Sequence, residues 1–244
     1  MENINIDKTN LVVKHNALIN ATSDYKFSRN ELKMICILIS NINNKNDTNF
    51  KEQHINIRDL DVNNEETNNH TYISNLCKSI MSKPFKINGS IYNWFTKLTP
   101  LENEGIIEYQ FHEDLKTFLL ELKDNFTKYH INDILKLRSS YSIQVFELLT
   151  QYKVIGNRTI SMKEFREVLS IPSKYRNPDI KRLLETIQKD LKENSNIDFN
   201  FSFTKLGRVF HEINFNVKDN YKKNNNKQNL KLSEKMKILR IDDL

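Results

Sequence analysis

The chain has 244 residues, 38% of them hydrophobic, and 37 Lys plus Arg against 31 Asp plus Glu give a formal net charge of +6; this suits one large domain or two of about 100 residues each and excludes global disorder. No run approaches the ~18 apolar residues of a membrane helix, and the polar stretch Met1–Asn10 is unlike a secretory leader. Only 4 glycines occur, and Gly89, Gly105, Gly156 and Gly207 stand apart, so neither a phosphate-cradling loop nor a dinucleotide fingerprint can be written from them.

After a disordered lead-in over residues 1–10, the first clear helix opens at Ser28-Arg29-Asn30-Glu31, a capping-box pattern. Leu32, Ile35, Cys36, Ile39 and Ile42 follow at helical spacing and predict one buried stripe. An Asn-rich loop, Asn41–Asn49, leads to a short strand ending in Ile55–Leu60. The next helix carries Ile73, Leu76, Cys77 and Ile80 and stops at Pro84. Strands are predicted at Phe85–Ile87, Ile91–Leu98 and Ile106–Phe111, with turns at Asn88-Gly89 and Asn103–Gly105. Tyr92, Trp94 and Phe95 on these strands serve either a core or an interface. Cys36 and Cys77 both fall on apolar stripes, as in a reduced, cytoplasmic protein.

The second half repeats this order. A helix with Ile143, Phe146, Leu149 and Tyr152 ends near Gly156-Asn157, and a short strand enters Ile160–Phe165. That hexamer parallels Ile55–Leu60 position by position, with Ser161 and Glu164 as a second capping box. After Ile171-Pro172, Asn177 is placed as N-cap and Pro178 as first residue of a helix running to about Glu193. Strands Ile197–Phe203 and Val209–Val217 flank Lys205-Leu206-Gly207-Arg208 as a hairpin. Helix, short strand, helix, helix, hairpin is the order of a winged helix-turn-helix. The expected fold is therefore α+β, tandem winged helix-turn-helix domains at 11–130 and 131–218, followed by a basic, largely flexible tail at 219–244.

Charge divides unevenly along that plan. Residues 1–130 hold 15 basic and 17 acidic side chains, residues 131–218 hold 15 and 10, and the tail holds 7 and 4. A polyanion contact is thus expected in the second half. In a helix-turn-helix the third helix enters the major groove and needs phosphate- and base-contacting groups on its solvent face. With Ile180 at zero on a helical wheel, Ile180, Leu183, Leu184, Ile187 and Leu191 cluster on one side, and Lys181, Arg182, Gln188, Lys189 and Lys192 lie on the other. Lys174 and Arg176 precede the helix, and Lys205 and Arg208 occupy the wing. Asp179 and Glu185 interrupt this basic face, Asp179 in a position to complement the helix N-terminus. The third helix of the first module offers mainly Asn69, Thr71, Ser74, Asn75 and Ser82, with Lys78 and Lys83 as its cations. It is better placed for protein association or auxiliary DNA contact.

No catalytic constellation emerges. The six His residues are scattered without metal-ligand spacing, the nearest context to a His-x-His pair being His54-Ile55-Asn56. Glu102/Glu104 and Glu113/Asp114 read as surface acids on a turn and a helix start. The expectation is a non-enzyme with no cofactor and no metal.

At this point Val12–Ile19, Phe126-Thr127-Lys128-Tyr129, Ser139–Leu149, Leu169–Arg176, the helix Ile180–Leu191 and the stretch Gly207–Phe215 can be read together. In ordered combination they resemble the plasmid replication initiators that bind iterons, across roughly residues 11–218. The chain departs from that pattern near Ile180, where an aromatic is common, and at Asn194-Ser195-Asn196, where a Thr-Asp pair is common. The resemblance implies binding of double-stranded origin repeats, help in melting an AT-rich tract, recruitment of host initiation and helicase-loading proteins, and self-repression as a dimer in monomer–homodimer equilibrium. It also implies principal base contacts from the second module's helix. Lys181, Arg182, Gln188 and Asn177 would probe base edges or nearby phosphates, with Lys174, Arg176, Lys189, Lys192, Lys205 and Arg208 on the backbone. A winged-helix transcriptional regulator without a replication role, and a scaffold whose basic helix meets an acidic protein, remain open.

Overall fold

The computed structural model describes residues 10–42, 47–60, 70–101, 104–207 and 209–220. Most of the expected lead-in, the basic tail from residue 221, Asn69 and Arg208 lie outside them. Asn10, assigned above to the lead-in, is already engaged, because its carbonyl accepts from the Ile131 N–H at 3.1 Å.

Strand β1 (Leu11–His15) and the single turn α1 (Asn16–Ile19) lead to α2 (Arg29–Ser40). The capping box at its start is formed: the Glu31 N–H donates to Ser28 Oγ at 3.2 Å, and the Ser28 N–H donates to Glu31 Oε2 at 2.6 Å. Burial goes well beyond the expected stripe, since Met34, Ile37 and Leu38 are as hidden as Ile35 and Ile39. The reason lies in the other half of the chain, where α6 (Ser140–Thr150) packs on the second side of α2. The helix α6 is likewise buried nearly all round, through Tyr141, Ile143, Val145, Phe146, Leu148 and Leu149. The two helices form the common centre of the molecule. Each such side chain contributes about 1.5–3 kcal/mol of burial.

The repeat is exact in topology. In the first module β2 (Gln53–Asn56) runs into a 3₁₀ turn (Ile57–Leu60), then α3 (His70–Met81), β5 (Phe95–Leu101) and β6 (Ile106–Phe111), with sheet order β2-β6-β5. In the second, β8 (Asn157–Ser161) runs into α7 (Met162–Val168), then α8 (Asn177–Asn194), β9 (Ile197–Leu206) and β10 (Val209–Asp219), with sheet order β8-β10-β9. The paired hexamers therefore occupy equivalent places, each carrying the chain from first strand into second helix. The first module adds a small hairpin, β3 (Phe85–Ile87) with β4 (Ser90–Tyr92). Expected as one strand, Ile91–Leu98 is broken at Asn93-Trp94, because its two ends pair in different sheets. Trp94 and Phe95 are core residues at 8% and 2% exposure, and Tyr92 packs edge-on against Phe118.

Between the modules lie α4 (Lys116–Leu119), β7 (Phe126–His130) and α5 (Asn132–Leu135). Strand β7 returns to pair antiparallel with β1, Val12 opposite Tyr129 and Lys14 opposite Thr127. Two stretches more than a hundred residues apart thus become one ribbon. A third stretch joins them from α6: Glu147 accepts from Lys14 Nζ at 2.7 Å and from the Tyr129 hydroxyl. Lys14 Nζ also lies 3.3 Å from Cys36 Sγ on α2. Burial alone would depress the Lys14 ammonium, but Cys36 and Glu147 more than reverse this and hold it above its ordinary range.

At the two departures from the family pattern the local roles are filled. Ile180 is fully buried, and Ser195 Oγ donates to the Leu191 carbonyl at 2.8 Å while accepting from the Ile197 N–H at 3.1 Å. Together these anchor α8 to the sheet and turn the chain into β9.

Candidate nucleic-acid interface

Helix α8 presents its charges because its apolar spacing leaves them no other place. Ile180, Leu184, Ile187 and Leu191 are at most 1% exposed, Leu183 is half-buried, and Lys181, Arg182, Lys189 and Lys192 are exposed. Lys181 meets Glu185 one turn on at 3.8 Å, a solvent-screened pair of little energetic weight. Among the described residues, Arg182, Lys189 and Lys192 form no ion pair, which leaves three cations uncompensated on one surface.

The N-terminus of α8 differs from expectation by one residue. Arg176, not Asn177, is the N-cap, and Asn177 and Pro178 are the first two helical residues. The Arg176 backbone N–H donates to Asp179 Oδ2 at 2.8 Å, so the acid reaches back where Asn177 was expected to cap. Asp179 is thereby spent on the helix terminus. Exposed Arg176 and Lys174 stand on the preceding turn, and half-buried Asn177 is at the helix start. That turn is held from behind: Arg166 donates to the Tyr175 carbonyl at 2.6 Å, and Ser170 Oγ donates to the Ser23 carbonyl of the first module at 2.8 Å. Lys174, Tyr175, Asp179, Arg182, Leu183 and Thr186 surround a cleft of about 460 Å³. Tyr175 and Thr186 are not among the expected site residues, and Leu183 is expected only as part of the buried stripe. Only Leu183, at the edge of the apolar arc, carried any signal.

Gln188 requires a correction. Its amide donates to the Phe199 carbonyl and, at 3.2 Å, to Asn200 Oδ1, both on β9. At 80° from Ile180 it sits on the flank of the helix beside the sheet, so it is a strut between α8 and β9 rather than an outward reader. Lys205 is exposed on the wing with its ammonium 5.5 Å from the Phe210 ring centre. The expected contact at Arg208 lies outside the described residues.

The equivalent helix of the first module is poorer in charge than its sequence implied. Lys83 donates to both Glu31 oxygens at 2.7 and 2.8 Å and is turned into the fold, which leaves Lys78 exposed among Thr71, Asn75 and Ser82. The first module also gathers three groups that no sequence spacing announces: one donor atom each from Glu52, His54 and Glu108 lies within 4.8 Å of the others. Lys97 bridges Glu52 at 2.8 Å and Glu108 at 2.5 Å, so both carboxylates already have their cation.

Both thiols are buried, and burial pushes Cys36 up to about 11 and Cys77 to about 12. Neutral thiols under cover are poor nucleophiles. Native protein treated with iodoacetamide at neutral pH should keep both cysteines unmodified, while the urea-unfolded chain should take two labels by mass spectrometry. Rapid labelling of either in the native state would refute their assignment to a closed core.

Residues 11–150 match the family described as "Initiator Replication protein, WH1", and residues 161–217 match that described as "Initiator Rep protein, WH2". Among solved structures the chain is similar to a "Crystal structure of Pi initiator protein in complex with iteron DNA", with a TM-score of 0.71 and 14% identity over 87% of this chain and 98% of that one. At that identity the likeness is one of fold. Among the described residues no helix is long and apolar enough to cross a membrane.

Proposed function

The chain belongs to the family of replication initiator proteins with two winged-helix domains, and from this premise we propose that it binds repeated sites, iterons, in the double-stranded DNA of a plasmid origin. It acts by binding, without catalysis or cofactor, in the cytoplasm. The observation that carries the reading is the contrast between the two third helices: α8 exposes Arg182, Lys189 and Lys192 with no acidic partner among the described residues, whereas α3 exposes mainly hydroxyls and amides around Lys78. Phosphate contact supplies most of the attraction to DNA and scales with cations brought to the backbone. Module two therefore reads the groove through Lys181, Arg182 and Asn177. Lys174, Arg176, Lys189, Lys192 and Lys205 hold the flanking phosphates. Module one contributes association with a second copy and weaker DNA contact.

The same reading assigns the bound protein to helping open an adjacent AT-rich tract, recruiting host initiation and helicase-loading proteins, and repressing its own promoter as a dimer. Footprinting of the full-length protein on the DNA around its gene tests the core of it. Protection is expected over several direct repeats spaced by about two helical turns, with strand opening in the neighbouring AT-rich tract. A lone protected promoter palindrome would instead identify a transcriptional regulator. No DNA retention at moderate salt would leave the basic helix for an acidic protein partner.

A further inference from the structure

The wing ends in something a DNA-contacting hairpin does not need for phosphate contact. Leu206 is 73% exposed and Val209 63% exposed, and they form the last cross-strand pair before the turn. Gly207 between them adopts φ +60°, the left-handed conformation that closes so short a turn. These aliphatics are not an overflow of the core. Phe199, Phe201 and Phe203 alternate along β9 on the core-facing side, and strand alternation puts Leu206 on the opposite face. The hairpin behind them is stiff: β9 and β10 pair from Ile197–Asp219 outward to Leu206–Val209, and the Phe203 and Phe210 rings stack with centres 4.0 Å apart and planes 8° apart.

We propose that Leu206 and Val209 form an apolar wedge that enters the DNA minor groove beside the site read by α8, partly unstacks one base step and bends the duplex. This rests on the DNA-binding reading above. Two aliphatic side chains flanking Gly207-Arg208 are too small for a protein interface, which needs on the order of 1,000 Å² of buried surface. A base step takes one or two inserted side chains, and such wedges kink DNA by roughly 20–90°. Cations stand close by along the chain: Lys205 precedes Leu206 on the Phe210 side of the hairpin, Arg208 follows it in the sequence, and Lys189 and Lys192 lie on the helix that precedes the hairpin.

The test uses the full-length chain and duplexes selected by it from a random-sequence pool, with wild type compared to the Leu206→Ser/Val209→Ser double variant. Both positions are exposed, so circular dichroism and melting should match wild type. The wedge predicts that the variant keeps specific binding within about threefold. It also predicts that the bend, read by end-to-end fluorescence transfer, and the rise of 2-aminopurine fluorescence at the wing-proximal step are both largely lost. Equal bending and equal 2-aminopurine signal in the two proteins would overturn the wedge while leaving the α8 reading intact. If the variant loses self-association in sedimentation with DNA bending unchanged, the pair is a contact between copies and the wedge is wrong. If wild type selects no duplex, the DNA-binding reading fails and the wedge falls with it.

Discussion

Arg182→Ala should lower affinity for the selected duplex by about 10–100-fold and relax preference at one or two base positions, whereas Lys189→Ala and Lys192→Ala should weaken specific and non-specific DNA alike. The distinction follows from position. Arg182 lies one turn into α8, beside the cleft floored by Tyr175 and Leu183, where a recognition helix meets base edges. A planar guanidinium bonded to a guanine is worth about 1–3 kcal/mol of discrimination. Lys189 and Lys192 lie farther along α8 and are proposed to contact the flanking phosphates, so each should reduce the salt slope by about one when removed. Lys181→Ala should fall between these limits, because Lys181 gives up a weak pair with Glu185 to reach DNA. Fluorescence anisotropy at several salt concentrations separates the two signatures. Wild-type affinity and specificity in both Arg182→Ala and Lys181→Ala would remove α8 from the reading role.

Lys14→Met should destabilise the whole molecule by about 3–5 kcal/mol, because it leaves Glu147 charged and buried without its cation. Glu147 is 6% exposed and Lys14 is 4% exposed, and the Tyr129 hydroxyl and Cys36 thiol around them are neutral donors that cannot replace an ammonium. On a chain of this size that corresponds to a fall in Tm on the order of 10 °C. The double variant Lys14→Met/Glu147→Met should recover much of the loss, since an apolar pair of similar volume often replaces a buried ion pair without net cost. A single variant melting within about 2 °C of wild type would show that the pair is not a structural joint. The joint links β1, β7 and α6.

The helices and their charged outer faces are largely legible from local pattern. Apolar residues at 3.6 spacing located α2, α3, α6 and α8, and the cations of α8 were exposed for the same reason that its leucines were buried. The failures share one cause. Local pattern makes Lys83 an outward cation, yet Glu31 lies 52 positions earlier and draws it inward. Local pattern makes Gln188 a reader, yet Phe199 and Asn200 arrive beside it only once β9 has folded back. The helix α2 was assigned one buried stripe because periodicity reports a face and cannot report a second partner contributed by α6. Glu52, His54 and Glu108 show no motif spacing because an antiparallel register, rather than a turn of helix, brings them together.

By itself, then, the amino-acid order determined the repeated succession of elements, the concentration of positive charge on the second module and the absence of glycine loops for nucleotide phosphate. These are properties of local composition and of the 3.6- and 2-residue periods, and they require no knowledge of distant neighbours. Tertiary structure decided which polar groups remain available: it buried Lys14 against Glu147, drew Lys83 onto Glu31 and tied Gln188 to β9, while Arg182 stayed open beside a cleft. Those outcomes depend on contacts between residues from different elements, where burial and pairing outweigh intrinsic polarity.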